Sequence, residues 1–144
     1  IIGCDISHSM LKIVPKNITP VASNATKLPF KSNIFDYVFC IEVLQYIRNL
    51  EEVFAEVSRV SKEKARFILT MLNPGFLPRI YFRNNRLIFH SLKDVKRELY
   101  SNGFSKINVV GAYYPFMRIT KKKKDINLLQ RMLINSIAIS CESG

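Results

Sequence analysis

Five short apolar segments, each followed by polar or turn-forming residues, predict β-strands along the chain. The first and third are apolar almost throughout, which is typical of parallel strands buried on both faces. Pro20 cannot donate a backbone hydrogen bond, so the second strand is expected at an edge or near its own start. The predicted strands are residues 1–7 (IIGCDIS), 18–25 (ITPVASNA), 34–41 (IFDYVFCI), 65–72 (ARFILTML) and 106–114 (KINVVGAYY).

Two segments have the apolar spacing of amphipathic helices. Residues 49–62 begin with Asn49 as a candidate N-cap, and the two glutamates that follow suit the helix dipole. Residues 91–104 begin with a Ser91–Asp94 capping box and reach Gly103, where a C-terminal cap is expected. The alternation of strands and helices predicts an α/β fold with a Rossmann-like doubly wound sheet, in which ligands bind beyond the carboxyl ends of the strands.

The remaining segments have less regular patterns. Residues 73–90 contain three Pro or Gly residues near their start and predict a loop or lid with some short structure. Residues 126–140 (INLLQRMLINSIAIS) are largely apolar and predict a final helix. A last strand is then expected to be missing, because the chain ends four residues later.

Composition narrows the function. The net charge of +11 could attract nucleic acid, but the one dense cluster, Lys121–Lys124, has no interleaved aromatic residues for base stacking, so a solvated face is expected. No apolar run has the length of a membrane span. The three cysteines lack C-x-x-C spacing and lie away from His8 and His90, which disfavours a metal site and indicates reduced, buried thiols in the cytoplasm.

Asp5 follows the first predicted strand and is the first candidate functional residue. A carboxylate at a strand end can accept hydrogen bonds from both hydroxyls of a ribose. The same carboxylate can instead cap the helical turn that starts near Ser7. Taken alone, the position of Asp5 leaves both interpretations open.

An ordered series of motifs favours the interpretation of Asp5 as part of a ligand site. The series is D-I-S-x-x-M-L at residues 5–11, A-x-x-L-P-F-x-x-x-x-F-D-x-V at 25–38, E-V-L at 42–44 and E-V-x-R-V at 56–60. It resembles the small-molecule branch of the class I S-adenosylmethionine-dependent methyltransferases over about the first half of the chain. The resemblance implies S-adenosylmethionine as the cofactor and a small molecule as the methyl acceptor.

The resemblance assigns residues to the adenosine half of the cofactor. Asp5 would hold the ribose hydroxyls, with Ile6 and Met10 packed near the adenosine. Asn24 stands where the family usually has an Asp that accepts from the adenine amino group. The backbone N–H of Ala25 would meet a ring nitrogen of the adenine.

The resemblance also assigns residues to the rest of the site. Leu28 would cover the base, and Cys40 and Ile41 would line the methionine end. Tyr46 and Tyr113 would contact the acceptor, although paired aromatics such as Tyr113 and its neighbour often belong to a core.

Two departures from the family pattern predict that residues 1–144 are a partial domain. The glycine-rich loop that follows the family's first strand is absent, so a first strand, between the first and third strands predicted here, is expected to be missing. The Pro-Gly-Gly turn before the fourth strand is replaced by Glu63-Lys64-Ala65. Without the glycine-rich loop, this piece is expected to bind S-adenosylmethionine weakly.

The implied reaction is an in-line displacement at the sulfonium methyl group, for which proximity and orientation supply most of the rate. An oxygen acceptor of high pKa would also need a general base, and Glu42, Tyr46 and His90 are the candidates.

Three alternatives stay open. A degenerate methyltransferase fold that only binds a partner would fit the missing motifs. A nucleic-acid methyltransferase is disfavoured because IEVL replaces that group's Pro-rich tetrapeptide. A short-chain nicotinamide oxidoreductase is disfavoured because no tyrosine has a lysine four residues later.

Overall fold

The computed structural model describes residues 1–73, 87–113, 118–120 and 136–144, with backbone alone for residues 112, 113, 118–120 and 136. The strands are β1 (Ile2–Asp5), β2 (Thr19–Ala22), β3 (Phe35–Cys40), β4 (Ser61–Leu72), β5 (Phe104–Tyr113), β6 (Arg118–Thr120) and β7 (Ser136–Ser143). The helices are α1 (His8–Leu11), α2 (Leu50–Val60) and α3 (Leu92–Ser101), and a 3₁₀ turn spans Leu44–Tyr46.

The described strands form two sheets. In the smaller sheet, β1 and β2 run parallel, with Ile2 opposite Thr19 and Asp5 opposite Ala22. The larger sheet has the order β3-β4-β7-β5-β6. Its β3–β4 pair is parallel, and its other pairs are antiparallel. The α/β, Rossmann-like prediction is confirmed, and β1 and β3 are both edge strands, which is consistent with a strand missing between them.

The larger sheet contains the hydrophobic core. The apolar face of α2 lies against β4, and three phenylalanines form its centre: the ring centroids of Phe54 and Phe67 are 6.0 Å apart, and those of Phe67 and Phe104 are 5.3 Å apart. Aromatic pairs at these separations add to the free energy of burial. From α3, Val95 and Leu99 are also fully buried in this core.

Both long helices begin at the predicted caps. The side chain of Asn49 accepts a hydrogen bond from the backbone N–H of Glu51, and that of Ser91 accepts from the N–H of Asp94. Each bond satisfies an amide that the helix itself leaves unpaired. Gly103 follows α3 with a φ of 85°, the left-handed conformation expected of a C-terminal cap.

The end of the chain corrects two predictions. Residues 136–140, predicted as part of a helix, belong to strand β7, which pairs with both β4 and β5. The last strand predicted to be missing is therefore present. Burial alternates along it, with Ile139, Cys141 and Ser143 buried and the residues between them more exposed. The sequence analysis missed this period-two pattern because apolar residues also fill the segment before it, residues 126–135, which lies outside the described part.

Strand β4 begins earlier than predicted, directly after α2. Its register against β3 shifts between Phe35 and Tyr37, whose partners are Ser61 and Arg66. Lys64 lies in the shifted segment with a φ of 61°, a conformation that glycine adopts with least strain. The segment Glu63-Lys64-Ala65 therefore contains a left-handed residue without a glycine.

Candidate functional site

Asp5 and Asn24 are brought to the same edge of the smaller sheet. Asp5 ends β1 opposite Ala22, and its backbone carbonyl accepts a hydrogen bond of 3.1 Å from the N–H of Ser23. Since β1 and β2 are parallel, the side chains that follow them leave at the same carboxyl edge. The hydroxyl of Ser23 is buried there, and no described residue gives it a hydrogen-bond partner.

The Asp5 side chain is half-buried and already makes one bond. Its Oδ1 accepts a hydrogen bond of 2.7 Å from the N–H of Ser7, two residues further along the chain. This bond does not cap α1, because Ser7 is itself the N-cap and the helix has no side-chain cap bond. Within the described part of the chain, Oδ2 has no partner. The capping interpretation is therefore not confirmed. The carboxylate uses one oxygen in the turn before α1 and leaves the other available to a ligand.

Ile6 and Met10 lie on the surface beside Asp5. Their side chains are 73% and 51% exposed, which is high for large apolar groups. Neither residue belongs to the hydrophobic core or to a β-strand, so both are accessible to a ligand at the carboxyl ends of the strands.

A tight turn holds the residues that follow β2. The side-chain Oδ1 of Asn24 accepts from the N–H of Thr26 at 3.0 Å, and the carbonyl of Asn24 accepts from the N–H of Lys27 at 3.0 Å. Asn24 itself is exposed, whereas Ala25 packs against the core of the larger sheet. The turn thus rests on the core and leaves Asn24 open to solvent.

Leu28 is tied to helix α2 by a contact that the sequence analysis missed. Its N–H donates to Oε2 of Glu56 at 2.7 Å, and its carbonyl accepts from Nη2 of Arg59 at 3.1 Å. Nη1 of Arg59 donates to the carbonyl of Phe30 at 2.8 Å. The signal was present, because Glu56 and Arg59 are the two charged residues of the E-V-x-R-V motif.

The end of β3 presents one buried and one exposed residue. The Cys40 side chain is 6% exposed and belongs to the core, so only its backbone can line a ligand site. Burial, reinforced by the nearby Glu42 carboxylate, raises the pKa of the Cys40 thiol to about 12, which excludes it as a nucleophile near neutral pH. The Ile41 side chain is 55% exposed.

Glu42 follows with a strained backbone that the sequence did not indicate. Its φ is 53°, and strain of this kind often marks functional positions. Its N–H donates to Oγ1 of Thr70 at 2.9 Å, and its Oε2 accepts from Nε2 of Gln45 at 3.1 Å. The other amide atom of Gln45, Oε1, is buried and has no hydrogen-bond partner among the residues that the structure describes.

Of the three candidate bases, His90 has the most informative contacts. Its Nε2 lies 3.0 Å from the carbonyl oxygen of Leu44 and 2.8 Å from that of Ile47. Two carbonyls can only accept, so Nε2 carries the proton and Nδ1 is the ring nitrogen able to receive one. His90, Arg48, Leu87 and Ile88 line an open pocket of about 800 Å³.

The two predicted acceptor residues differ in what the structure describes. Tyr46 ends the 3₁₀ turn and is 70% exposed. The backbone of Tyr113 ends β5 opposite Arg118, and its side chain lies outside the described atoms, as does all of Tyr114. Among the described residues, no group of three acidic, His or Cys side chains could hold a metal ion. Within the same ranges, no helix has the length and apolarity needed to cross a membrane.

Comparison with known proteins supports the resemblance. Residues 1–69 match the methyltransferase domain family Methyltransf_11. An uncharacterised protein of Methanocaldococcus jannaschii is 34% identical over 105 residues, covering 68% of this chain and 46% of that protein. The demethylmenaquinone methyltransferase of Streptomyces avermitilis is 31% identical over 108 residues, covering 71% of this chain and 46% of that protein. The chain thus spans about half the length of these relatives.

A solved structure extends the similarity to nearly the whole chain. The S-adenosylmethionine-dependent methyltransferase of Thermotoga maritima, described as a possible histamine N-methyltransferase, superposes with a TM-score of 0.82 at 16% identity. The superposition covers 99% of this chain and 72% of that one. The resemblance inferred from the motifs is confirmed at this level: residues 1–69 match a methyltransferase domain family, and nearly the whole chain has the fold of a solved S-adenosylmethionine-dependent methyltransferase.

Proposed function

We propose that the protein transfers a methyl group from S-adenosylmethionine to a small-molecule acceptor by in-line displacement, with residues 1–144 acting as one partial domain. The observation that carries the proposal is the parallel β1–β2 pair, which brings Asp5 and Asn24 to one carboxyl edge. A carboxylate and an amide oxygen at that edge suit the two hydrogen-bond donor groups of adenosine, the ribose diol and the adenine amino group.

The adenosine-binding residues would act through their accessible atoms. Oδ2 of Asp5 would accept from the ribose hydroxyls while Oδ1 keeps its bond to Ser7. Oδ1 of Asn24 would accept from the adenine amino group in addition to the N–H of Thr26, since an amide oxygen has two lone pairs. The Ala25 N–H would donate to the ring, and Ile6, Met10 and Leu28 would cover its apolar faces.

The reaction needs little acid–base catalysis from the protein. The cofactor, when bound, supplies a methyl group already activated by its sulfonium. The backbone of Cys40 and the exposed Ile41 would flank the methionine end, and the protein's main task is to align the acceptor and exclude water. If the acceptor loses a proton, Nδ1 of His90 is positioned to take it, because Nε2 is held as a donor by two carbonyls.

A small acceptor is supported by the site and by a relative. The open pocket beside His90 and Arg48 suits a small molecule, and the exposed Tyr46 lies on the turn that His90 contacts. One relative is named for methylating demethylmenaquinone, which is a small molecule. The three cysteines are free, which is usual in the reducing cytoplasm, and we place the protein there.

Calorimetric titration of the full-length natural protein with S-adenosylmethionine tests the proposal. Asp5→Asn keeps an oxygen for the Ser7 N–H but removes the charge that would face the ribose, so affinity should fall by about 10- to 100-fold, as for the loss of charge-assisted hydrogen bonds. Asp36→Asn is the matched control and should leave affinity unchanged. Asp36 pairs with Lys62 at the surface, at the amino ends of β3 and β4, whereas the proposed site lies at carboxyl ends of strands.

Formation of S-adenosylhomocysteine in the presence of small amines, phenols and thiols then separates an enzyme from a degenerate binding module. Turnover with any of them supports the proposal. Absence of cofactor binding, or equal affinity in Asp5→Asn and the unaltered protein, contradicts it.

A further inference from the structure

We infer that Glu56 and Arg59 are positioning residues, which hold the loop of residues 24–30 in the conformation that selects adenine over other bases. The inference rests on the proposed function, because it assigns a role within the same cofactor site. Neither Glu56 nor Arg59 is proposed to contact the ligand, because both act through hydrogen bonds to the backbone of the loop.

Arg59 ties together two carbonyls of the loop. Its Nη1 and Nη2 donate to the carbonyls of Phe30 and Leu28, at 2.8 and 3.1 Å. Its Nε and Nη2 also donate to the two carboxylate oxygens of Glu56, at 2.7 and 2.8 Å. A planar guanidinium with five donors can make this set of bonds at once, and a lysine ammonium cannot reproduce the geometry.

Glu56 completes the arrangement from the other side. Its Oε2 accepts the Leu28 N–H at 2.7 Å, so one carboxylate binds both the loop and the arginine. The side chains of Glu56 and Arg59 are only 19% and 35% exposed, so these bonds are partly shielded from water. We call Glu56, Arg59 and their bonds to Leu28 and Phe30 the loop clamp.

The loop clamp adjoins the residues proposed to recognise adenine. Asn24 and Ala25 lie four and three positions before Leu28, respectively, and the Asn24 turn closes at Lys27. Beyond the clamp, the N–H of Asn33 donates to the carbonyl of Arg59 at 3.0 Å. The chain after β2 is therefore fixed against the end of α2 from Leu28 onward, which sets where the Asn24 amide and the Ala25 N–H point.

The charge state of the loop clamp is robust near neutral pH. The hydrogen bond from Arg59 lowers the pKa of the Glu56 carboxyl, and the bond from Leu28 acts in the same direction. The Glu56 contact in turn raises the pKa of Arg59. Because a depressed carboxyl pKa means that the interaction is lost only as pH falls through that lower value, the clamp should persist throughout the neutral range.

Arg97 on α3 provides a matched control. It pairs with Asp94 at 2.9 Å and with Glu98 at 3.1 Å, an arrangement on one helix like that of Arg59 and Glu56. Its side chain is 61% exposed, and among the described contacts it makes no bond to the loop. Arg97→Lys therefore makes the same chemical change as Arg59→Lys, but at an arginine that forms no described bond to the loop.

The test compares two ligands on the full-length protein by calorimetric titration: S-adenosylhomocysteine and S-inosylhomocysteine, in which a carbonyl replaces the adenine amino group. The unaltered protein should prefer the adenosyl ligand by about tenfold or more, since Asn24 would meet an acceptor in place of a donor. Arg59→Lys and Glu56→Gln should reduce this preference to about twofold or less, and Arg97→Lys should keep it.

The ratio of the two affinities distinguishes positioning from a merely structural role, because a general loss of stability weakens both ligands alike. Circular dichroism checks that each variant is folded, and Glu56→Gln, the milder change, stands in if Arg59→Lys is not. An unchanged preference in a folded clamp variant overturns the inference and leaves the proposed function intact. Failure of the unaltered protein to bind S-adenosylhomocysteine overturns both.

Discussion

The two sheets differ in how they are held together. The larger sheet buries a continuous core whose side chains come from β3, β4, β5, β7, α2, α3 and the 3₁₀ turn. In the smaller sheet and α1, no residue is fully buried, and Ile2, Ile6 and Met10 are among the exposed large apolar side chains. Two strands alone are marginally stable in water, so most of the stability of the described structure comes from the larger sheet.

The residues proposed to bind the cofactor and the residues that stabilise the fold therefore lie in different sheets. Asp5, Ile6, Met10 and Asn24, which are proposed to bind adenosine, belong to or follow the smaller sheet, whereas the core residues lie in the larger one. Segments with few buried apolar contacts open at low free-energy cost, and ligand-binding segments are often drawn from them. The loop clamp connects these two regions, because it bonds the loop that follows β2 of the smaller sheet to helix α2, which packs in the core.

Cysteine reactivity should show the largest contrast between the sheets. Cys4 in β1 is exposed, whereas burial raises the pKa of both Cys40 and Cys141 from 9.0 to about 12. The thiolate is the reactive form, so at pH 8 the two buried thiols should react with iodoacetamide about a thousandfold more slowly than an ordinary thiol. Mass spectrometry of tryptic peptides over time measures each rate.

Denaturant supplies the control, because all three cysteines should react alike once the chain is unfolded. Since the folded pKa values of the buried thiols lie above 9.0, the free energy of unfolding should also fall as pH rises from 9 towards 12. Labelling of Cys141 as fast as Cys4 in the folded protein would contradict the comparison.

Truncation of a core side chain should cost more than truncation in the smaller sheet. Phe67 is fully buried between Phe54 and Phe104, so Phe67→Ala should lower the free energy of unfolding by about 3–5 kcal/mol. Ile2 is 42% exposed, and Ile2→Ala should lower it by less than about 1 kcal/mol. Urea denaturation followed by circular dichroism measures both, and equal losses would show that the smaller sheet is as well packed as the larger.

The sequence predicted the parts of the fold that local rules determine. Asn49 and Ser91 were recognised as caps because their side chains bond amides two or three residues away, and Gly103 because a helix end needs a left-handed residue. Strand β7 was missed because its pairing with β4 and β5 is set by residues more than 20 positions distant. A short apolar segment can form a helix or a strand, and the elements that pack against it in the fold determine which one forms.

In the candidate site, too, the features set by local sequence were predicted, and those set by distant residues were not. Asp5 and Asn24 were predicted from the resemblance, and their shared edge follows from the parallel pairing of β1 and β2. The loop clamp was not predicted, although its residues were noted as a motif, because its bonds join positions about 30 apart along the chain. The sequence pattern did not indicate the left-handed φ of Glu42. It also did not indicate the buried side-chain oxygens of Ser23 and Gln45, which have no partner in the described part of the chain.

Amide hydrogen exchange of the full-length protein, with and without S-adenosylmethionine, tests the central claim most directly. Without ligand, amides of β4 and β7 should exchange far more slowly than those of β1 and β2, since they pair within the cored sheet. With ligand, we expect added protection at residues 5–7 and 24–28 and little change in β4 and β7. Binding that protects other segments, while leaving Ser7 and Ala25 unchanged, would contradict the account.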